Sequence, residues 1–139
     1  MRRSRKPDSR IKLHVIAAAI IIIAAFFVSK YLVQVMIIEG DSMLPTYRNL
    51  QLVLLDKTAD DYNRGDVIAF YNYTLEGRKI VLVKRIAGIT GDEVELETGT
   101  VTLSDGEFYV LGDNLPESID SRYAEVGVVD REDIIGKVI

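Results

Sequence analysis

The hydrophobic pattern of the chain changes once, from an uninterrupted apolar run to short alternating segments. Every residue from Val15 to Val28 is apolar. With the mostly apolar residues on either side, the run reaches roughly 20 residues, the length at which a helix crosses hydrocarbon about 30 Å thick. We therefore predict a transmembrane anchor over residues 13–34. A cleaved signal peptide is the alternative, but the following segment, FFVSKYLVQV, has no small-x-small pair for cleavage.

The remaining residues, 35–139, have the alternation and turn signals of a mainly β domain. A turn-rich stretch, IEGDSMLPTY, follows the anchor, and helical periodicity is weak beyond it. Short alternating segments bounded by glycine-containing turns indicate antiparallel strands. These predicted strands cover residues 50–56, 66–73, 78–89, 93–97, 100–103, 107–112 and 134–139. We expect an antiparallel β-sheet or small barrel after one N-terminal transmembrane helix.

Charge is divided unevenly along the chain. Residues 1–12 carry six cationic side chains and one acidic one, a net of +5, which leaves −9 for the rest of a chain whose total is −4. An acidic domain lacks the basic patch that nucleic acid requires, so we expect no nucleic-acid partner. A basic block before an apolar span predicts a cytoplasmic N-terminus, residues 1–12, and an extracytoplasmic domain, residues 35–139. The lipid bilayer is then a predicted partner.

Composition limits the chemistry that the domain can perform. The chain has no cysteine, which excludes a thiol nucleophile and cysteine-ligated zinc. Its single histidine, His14, lies at the start of the apolar run. A Ser-His-Asp triad is therefore excluded, and a hydrolytic serine would need a different base.

Ser42 is a candidate nucleophile because its backbone is constrained on both sides. It lies between Gly40 and Pro45, about a dozen residues beyond the apolar run. Such a backbone can present a hydroxyl and direct its own N–H at a developing oxyanion. Most serines in turns only cap or bond the backbone, so this pattern alone leaves both roles open.

Lys84 is a candidate general base because of its place in a predicted strand. In IVLVKRI, alternation puts Ile80, Leu82, Lys84 and Ile86 on one face. Desolvation among aliphatic neighbours lowers the pKa of a lysine and favours the neutral amine. The alternative is a lysine that extends to solvent or pairs with an acid. Arg85, on the other face, cannot act as the base because its guanidinium stays protonated.

Four segments together resemble the motifs of bacterial type I signal peptidases, in the short form typical of Gram-positive bacteria. They are IEGDSMLPT, RGDVIAF, LVKRIAGITGDEVE, and YVLGDNLPESIDSRYAEVGVV followed by IIGKV. The resemblance implies a membrane-bound serine endopeptidase that removes signal peptides from exported preproteins at Ala-x-Ala sites. It also implies a serine–lysine dyad on a β-rich fold, with no metal and no cofactor.

By position in these motifs, Ser42 resembles the nucleophile, Lys84 the base, and Ser118 the serine that bonds and orients the lysine. The resemblance gives supporting roles to Gly40, Gly112, Asp113, Asn114, Asp120, Ser121 and Arg122. It further suggests an ion-pair network of Asp120, Arg122 and Asp113. Ile38, Met43 and Val83 are expected to line substrate-binding pockets, with Met36 and Ile37 nearby in pockets, in the core or against lipid.

The chain departs from the family pattern at three places. Gly40 stands where some relatives have a serine that adds a hydroxyl to the oxyanion hole. Leu50-Gln51 stands where many have Gly-Asp, and Leu115-Pro116 where arginine is usual. These departures bear on rate and substrate range, while the dyad residues remain.

Two other functions fit parts of the sequence. A self-cleaving serine–lysine regulator uses the same dyad, but proteins of that type lack an anchor and usually carry a DNA-binding domain. A non-catalytic scaffold or chaperone in surface protein assembly would share the fold, although known examples lose the serine or the lysine.

Overall fold

The computed structural model describes residues 9–139, so most of the predicted cytoplasmic segment lies outside the described residues. The first element is helix α1, Ser9–Tyr31. Its stretch Arg10–Val28 is long and apolar enough to cross a membrane, and none of it is buried by the rest of the protein. A helix that is apolar all round and is not covered by the rest of the protein is suited to an apolar environment such as lipid.

The helix ends earlier than the sequence pattern predicted. Val33 and Gln34 were expected in the anchor but belong to the first strand, β1 (Val33–Ile37). The junction is fixed by Lys57, whose N–H donates to the Leu32 carbonyl and whose Nζ donates to the Lys30 carbonyl, each at 2.9 Å. Only one residue therefore separates the end of the helix from the sheet.

The domain after the helix is built from antiparallel strands, as predicted. After β1 these are β2 (Leu52–Asp56), β3 (Val67–Tyr73), β4 (Lys79–Gly88), β5 (Glu93–Leu96), β6 (Gly99–Thr102), β7 (Glu107–Leu111), β8 (Val129–Asp130) and β9 (Ile134–Val138). Seven of these strands match the predicted segments, while β1 and the two-residue β8 were not predicted. A short 3₁₀ turn, Leu115–Glu117, follows β7, and a second, Arg131–Asp133, precedes β9.

The main sheet has the strand order β1-β2-β9-β3-β4-β7-β8, and β5 and β6 form a separate two-stranded sheet. Every pairing is antiparallel. Four such pairings connect β1 to β4, so these two strands run in the same direction. Strand β7 pairs with β4 only from Arg85 onward. Within the described part of the chain, the first half of β4 therefore has a strand partner on one edge only.

Strand β3 lies between the two halves of the core. Its residues from Val67 to Phe70 are all buried. Val67 and Ala69 pack into one apolar cluster with Ile38 and Met43. The alternate residues, Ile68 and Phe70, pack into a second cluster on the opposite face. A strand covered on both faces gives rigid support to the neighbouring strand β4.

Candidate active site

The loop after β1 holds Ser42 in a fixed backbone conformation. Gly40 has a φ of 85°, a left-handed conformation that glycine adopts without steric cost, and its N–H donates to Oδ1 of Asn49 at 2.9 Å. The Leu44 N–H donates to the Asp41 carbonyl at 3.1 Å, closing a turn around the serine. The next side chain, Met43, is only 1% exposed and anchors the loop in the core.

The loop after β7 forms hydrogen bonds with the backbone of the loop that carries Ser42. The Asn114 N–H donates to the Ser42 carbonyl at 2.9 Å, and its Nδ2 donates to the Asp41 carbonyl at 3.0 Å. A Cβ atom at Gly112 would lie 2.6 Å from the Ser42 carbonyl oxygen and 2.1 Å from Ser118 Oγ. Gly112 and Asn114 thus position the backbone of Ser42.

Lys84 is buried beside Ser42. Its Nζ lies 2.6 Å from Ser42 Oγ, and the residue is only 4% exposed. It lies opposite Ile68 in the register of β3 and β4. Burial lowers the pKa of Lys84, while the negative charge of Asp120 acts in the opposite direction. The burial expected from the alternation of β4 is therefore observed.

Ser118 differs from the expectation that it hydrogen-bonds Lys84. It is 2% exposed, and its Oγ forms no hydrogen bond to Lys84; the hydroxyl lies close to the Asp120 carboxylate and helps to lower the pKa of that group. The hydroxyl lies against Gly112, where an added Cβ would overlap it. The side chain is therefore next to the site, but the direct bond to the lysine is not formed.

Asp120 and Arg122 form the expected ion pair. Arg122 Nε donates to Oδ1 at 2.8 Å, and NH2 donates to Oδ2 at 3.1 Å. Asp120 is fully buried, and burial raises its pKa, but hydrogen bonds from Arg122 and from the Gly112 N–H outweigh that effect, so its pKa is lowered. Ser121 is also buried, and its Oγ accepts from the Val110 N–H at 2.9 Å. These residues hold the loop after β7 in place.

The predicted bond between Asp113 and this pair is wrong. Asp113 instead accepts two hydrogen bonds from Arg85, Nε to Oδ1 at 2.8 Å and NH2 to Oδ2 at 2.7 Å. Thr46 Oγ1 donates to Oδ2 of the same carboxylate at 2.5 Å. The Arg85 guanidinium lowers the pKa of Asp113, and the carboxylate raises the pKa of Arg85.

Sequence reasoning considered Arg85 only as a base and did not consider its contact with Asp113. The available signal was its position next to Lys84, which places a permanent cation on the opposite face of the same strand. An arginine that is partly buried next to the Ser42–Lys84 pair needs an acidic partner. Asp113, in the segment YVLGDN, was an available carboxylate.

A groove of about 480 Å³ leads to the serine and the lysine. One wall is formed by Gln34 and Met36–Ile38, the other by Ile80–Val83, and Ser42 and Lys84 are both part of the lining of the groove. The three side chains expected to contact substrate, Ile38, Met43 and Val83, all line it. Among residues 9–139, no group of three or more His, Cys, Asp or Glu side chains is placed to hold a metal ion.

Comparison with known proteins identifies the family. The sequence model of the family described as "Signal peptidase, peptidase S26" matches residues 11–106 and 99–139, which is most of the chain. The chain belongs to this family. It is therefore a serine peptidase of the signal peptidase family, and α1 is compatible with a membrane protein.

The chain also matches individual relatives over most of their length. The chain is 26% identical over 157 residues to "Signal peptidase I S" of Bacillus subtilis (strain 168), covering 86% of this chain and 82% of the relative. It is 26% identical over 168 residues to "Signal peptidase IB" of Staphylococcus aureus (strain Mu50), covering 89% and 85%. It is 34% identical over 118 residues to "Mitochondrial inner membrane protease subunit 1" of Schizosaccharomyces pombe, covering 77% and 74%.

Proposed function

We propose that this chain is a membrane-bound endopeptidase that removes N-terminal signal peptides from exported preproteins, with Ser42 as nucleophile and Lys84 as general base. The observation that carries the proposal is the 2.6 Å contact between the serine hydroxyl and a buried lysine amine. Burial favours the neutral amine, which can accept the hydroxyl proton. The presence of both Ser42 and Lys84 favours this activity over the role of a non-catalytic scaffold, since known scaffolds of this type lose one of the two.

The proposed reaction is acyl transfer in two steps. The neutral Lys84 amine takes the Ser42 proton as Oγ attacks the scissile carbonyl carbon, and the Ser42 N–H donates to the resulting oxyanion. The Lys84 ammonium then protonates the leaving amine as the C–N bond breaks. Lys84 next removes a proton from water, whose oxygen attacks the acyl-enzyme ester, and the released Ser42 alkoxide recovers a proton from the lysine.

The groove suits an extended peptide. Within residues 9–139, β1 has a strand partner only on the side of β2, and the first half of β4 only on the side of β3. Both strands therefore offer unpaired backbone groups to a peptide lying between them. Ile38, Met43 and Val83 give the groove an apolar lining, although Ile38 and Met43 are almost fully buried, and this lining suits small apolar residues at the proposed Ala-x-Ala positions.

The proposed orientation places residues 1–12 in the cytoplasm and the domain outside the membrane. The +5 charge of the N-terminal block supports this orientation. Because Leu32 alone lies between α1 and β1, the groove begins close to the bilayer. A signal peptide that leaves the same bilayer could reach Ser42 in an extended conformation.

The test is cleavage of a preprotein with an Ala-x-Ala site by the full chain in detergent. We expect Ser42→Ala and Lys84→Met each to lower kcat/KM by on the order of 10⁴-fold or more, because the dyad acts as one unit. The matched controls are Ser104→Ala, an exposed serine, and Lys137→Met, whose amine pairs with Asp66 rather than with a serine. Both controls should cleave at close to the wild-type rate, whereas normal cleavage by either dyad variant would refute the proposal.

A further inference from the structure

The turn between β3 and β4 presents an exposed apolar tip. Leu75 is 93% exposed, and Tyr73 before it is 55% exposed. The turn is closed by hydrogen bonds from the Thr74 N–H to the Arg78 carbonyl at 2.9 Å and from the Gly77 N–H to the Thr74 carbonyl at 2.8 Å. Leu75 is therefore held outward by a hydrogen-bonded turn.

The apolar surface continues behind this tip. Ile119 is 58% exposed, and it lines a hollow of about 340 Å³ together with Leu75, Ile80 and Val126. Scattered exposed apolar residues need no explanation, but a contiguous patch with a hollow indicates a contact surface.

The patch lies at the membrane end of the groove. Strand β1 starts at Val33, one residue after α1, and β4 starts at Lys79, directly after the turn. Since β1 and β4 run in the same direction, the end of α1 and the turn flank the same end of the groove. Ser42 and Lys84 lie at its other end.

Basic side chains accompany the apolar groups on both walls. Lys30 and Lys57 lie at the end of α1, and Arg78 and Lys79 follow the tip. Cations at the rim of an apolar surface suit lipid phosphates, as in proteins that insert shallowly into a bilayer. Arg78 and Glu76 form an ion pair at 3.0 Å and offset each other, so Lys79 is the cation next to the tip, and Glu125 is an acid that lines the hollow.

From this arrangement we propose that the Leu75 turn inserts into the interfacial layer of the bilayer that α1 crosses. The domain would then contact the membrane at two points, one on each wall of the groove entrance. The apolar tip would reach about 5–10 Å into the boundary between headgroups and acyl chains. This contact requires α1 to span the bilayer but does not depend on the proposed dyad.

The absence of tryptophan in the wild type allows a direct test. Leu75→Trp and Thr90→Trp each introduce a single tryptophan into the full chain. Thr90 is exposed and lies in the turn beyond the other end of β4, a strand of ten residues or about 30 Å. Both variants are reconstituted into phosphatidylcholine–phosphatidylglycerol vesicles with and without lipids brominated on the acyl chains.

We expect the tryptophan at position 75 to emit at shorter wavelength than the one at position 90 and to lose about half of its emission in brominated vesicles. The tryptophan at position 90 should emit as in water and remain unquenched. Water-like emission without quenching at position 75 would overturn the proposal. A shifted but unquenched emission would overturn it as well, because a second protein copy would then cover the turn. Neither readout requires peptidase activity.

Discussion

The amine of Lys84 is buried on a strand whose neighbours on the same face are aliphatic, and this desolvation lowers its pKa from the ordinary 10.5. The folded state consequently binds this proton less readily than the unfolded chain. The resulting stability is fully present above pH 10.5 and is lost as pH falls toward the lowered pKa. Catalysis by the neutral amine should also fall with pH in that direction.

Leu50 adopts a backbone conformation that its side chain disfavours. Its φ is 62°, it is 71% exposed, and its N–H donates to the Ile38 carbonyl at 2.7 Å. This is the position of the Leu50-Gln51 departure, where the family resemblance implies a glycine. The structure gives a physical reason for that glycine, since a left-handed residue with a Cβ costs about 1–2 kcal/mol.

We predict that Leu50→Gly raises the free energy of unfolding by up to about 1 kcal/mol, since relief of the left-handed strain exceeds the added entropy of glycine. The measurement is urea unfolding of the full chain in detergent. Leu52→Gly is the matched control, because Leu52 is similarly exposed but lies in β2, and it should destabilise the protein. A loss of stability in Leu50→Gly would contradict the prediction.

At the residue scale, the sequence predicted which side chains lie close together in the site, but it predicted their individual hydrogen bonds less well. The alternation of β4 was enough to place Lys84 on an aliphatic face, because a strand has only two faces. The bond from Ser118 to Lys84 was inferred by resemblance and is not observed, since a hydroxyl rotor and a long lysine depend on the surrounding packing. The left-handed backbone conformation of Leu50 could not be predicted, because it does not change the hydrophobic pattern of the sequence.

At the scale of elements, Asp113 joins three segments. Its carboxylate accepts from Arg85 on β4 and from Thr46 on the loop that carries Ser42, while Asp113 itself follows β7. Arg85 NH1 also donates to the Gly65 carbonyl at 2.7 Å. Strand β4, which carries Lys84, and the loop that carries Ser42 are thus tied together on the face of β4 opposite Lys84.

We predict that Asp113→Asn lowers kcat by about 10²-fold with a smaller effect on KM, because the Ser42–Lys84 contact loses its alignment. The loss of stability should be on the order of 1–2 kcal/mol, reduced because Arg85 is a third exposed to solvent. Cleavage kinetics and urea unfolding of the full chain give the two quantities.

Asp66→Asn is the matched control for this prediction. It breaks the ion pair with Lys137, which has a similar N–O distance of 2.8 Å but no bond to the Ser42 loop. A similar loss of stability with kcat near that of wild type is expected. If Asp113→Asn and Asp66→Asn lowered kcat equally, Asp113 would have only a structural role.

Most strands could be predicted because alternation and glycine turns are local signals. Strand β1 was missed because Val33–Ile37 continues the apolar character of the anchor, and only its pairing with β2 makes it a strand. The pairing of Arg85 with Asp113 joins residues distant in sequence. Neither feature is determined by local sequence, and both are consequences of the sheet topology.

For the whole molecule, one helix and one groove account for the proposed activity. The groove runs from the end of α1 to the Ser42–Lys84 pair, between two strands that run in the same direction. This geometry gives a peptide leaving the bilayer a direct path to the serine. Membership of the signal peptidase family agrees with such a substrate.

The central claim is that burial beside Ser42 lowers the pKa of the Lys84 amine and so makes its neutral form available as the base. The direct measurement is an NMR titration of the full chain in detergent with ¹³C-labelled lysine, in which the Lys84 signal is assigned by its loss in Lys84→Met. We predict that this signal titrates clearly below the ordinary pKa of 10.5 and that the same ionisation sets the acidic limb of kcat/KM. A Lys84 signal that titrates at 10.5 or above would contradict the account.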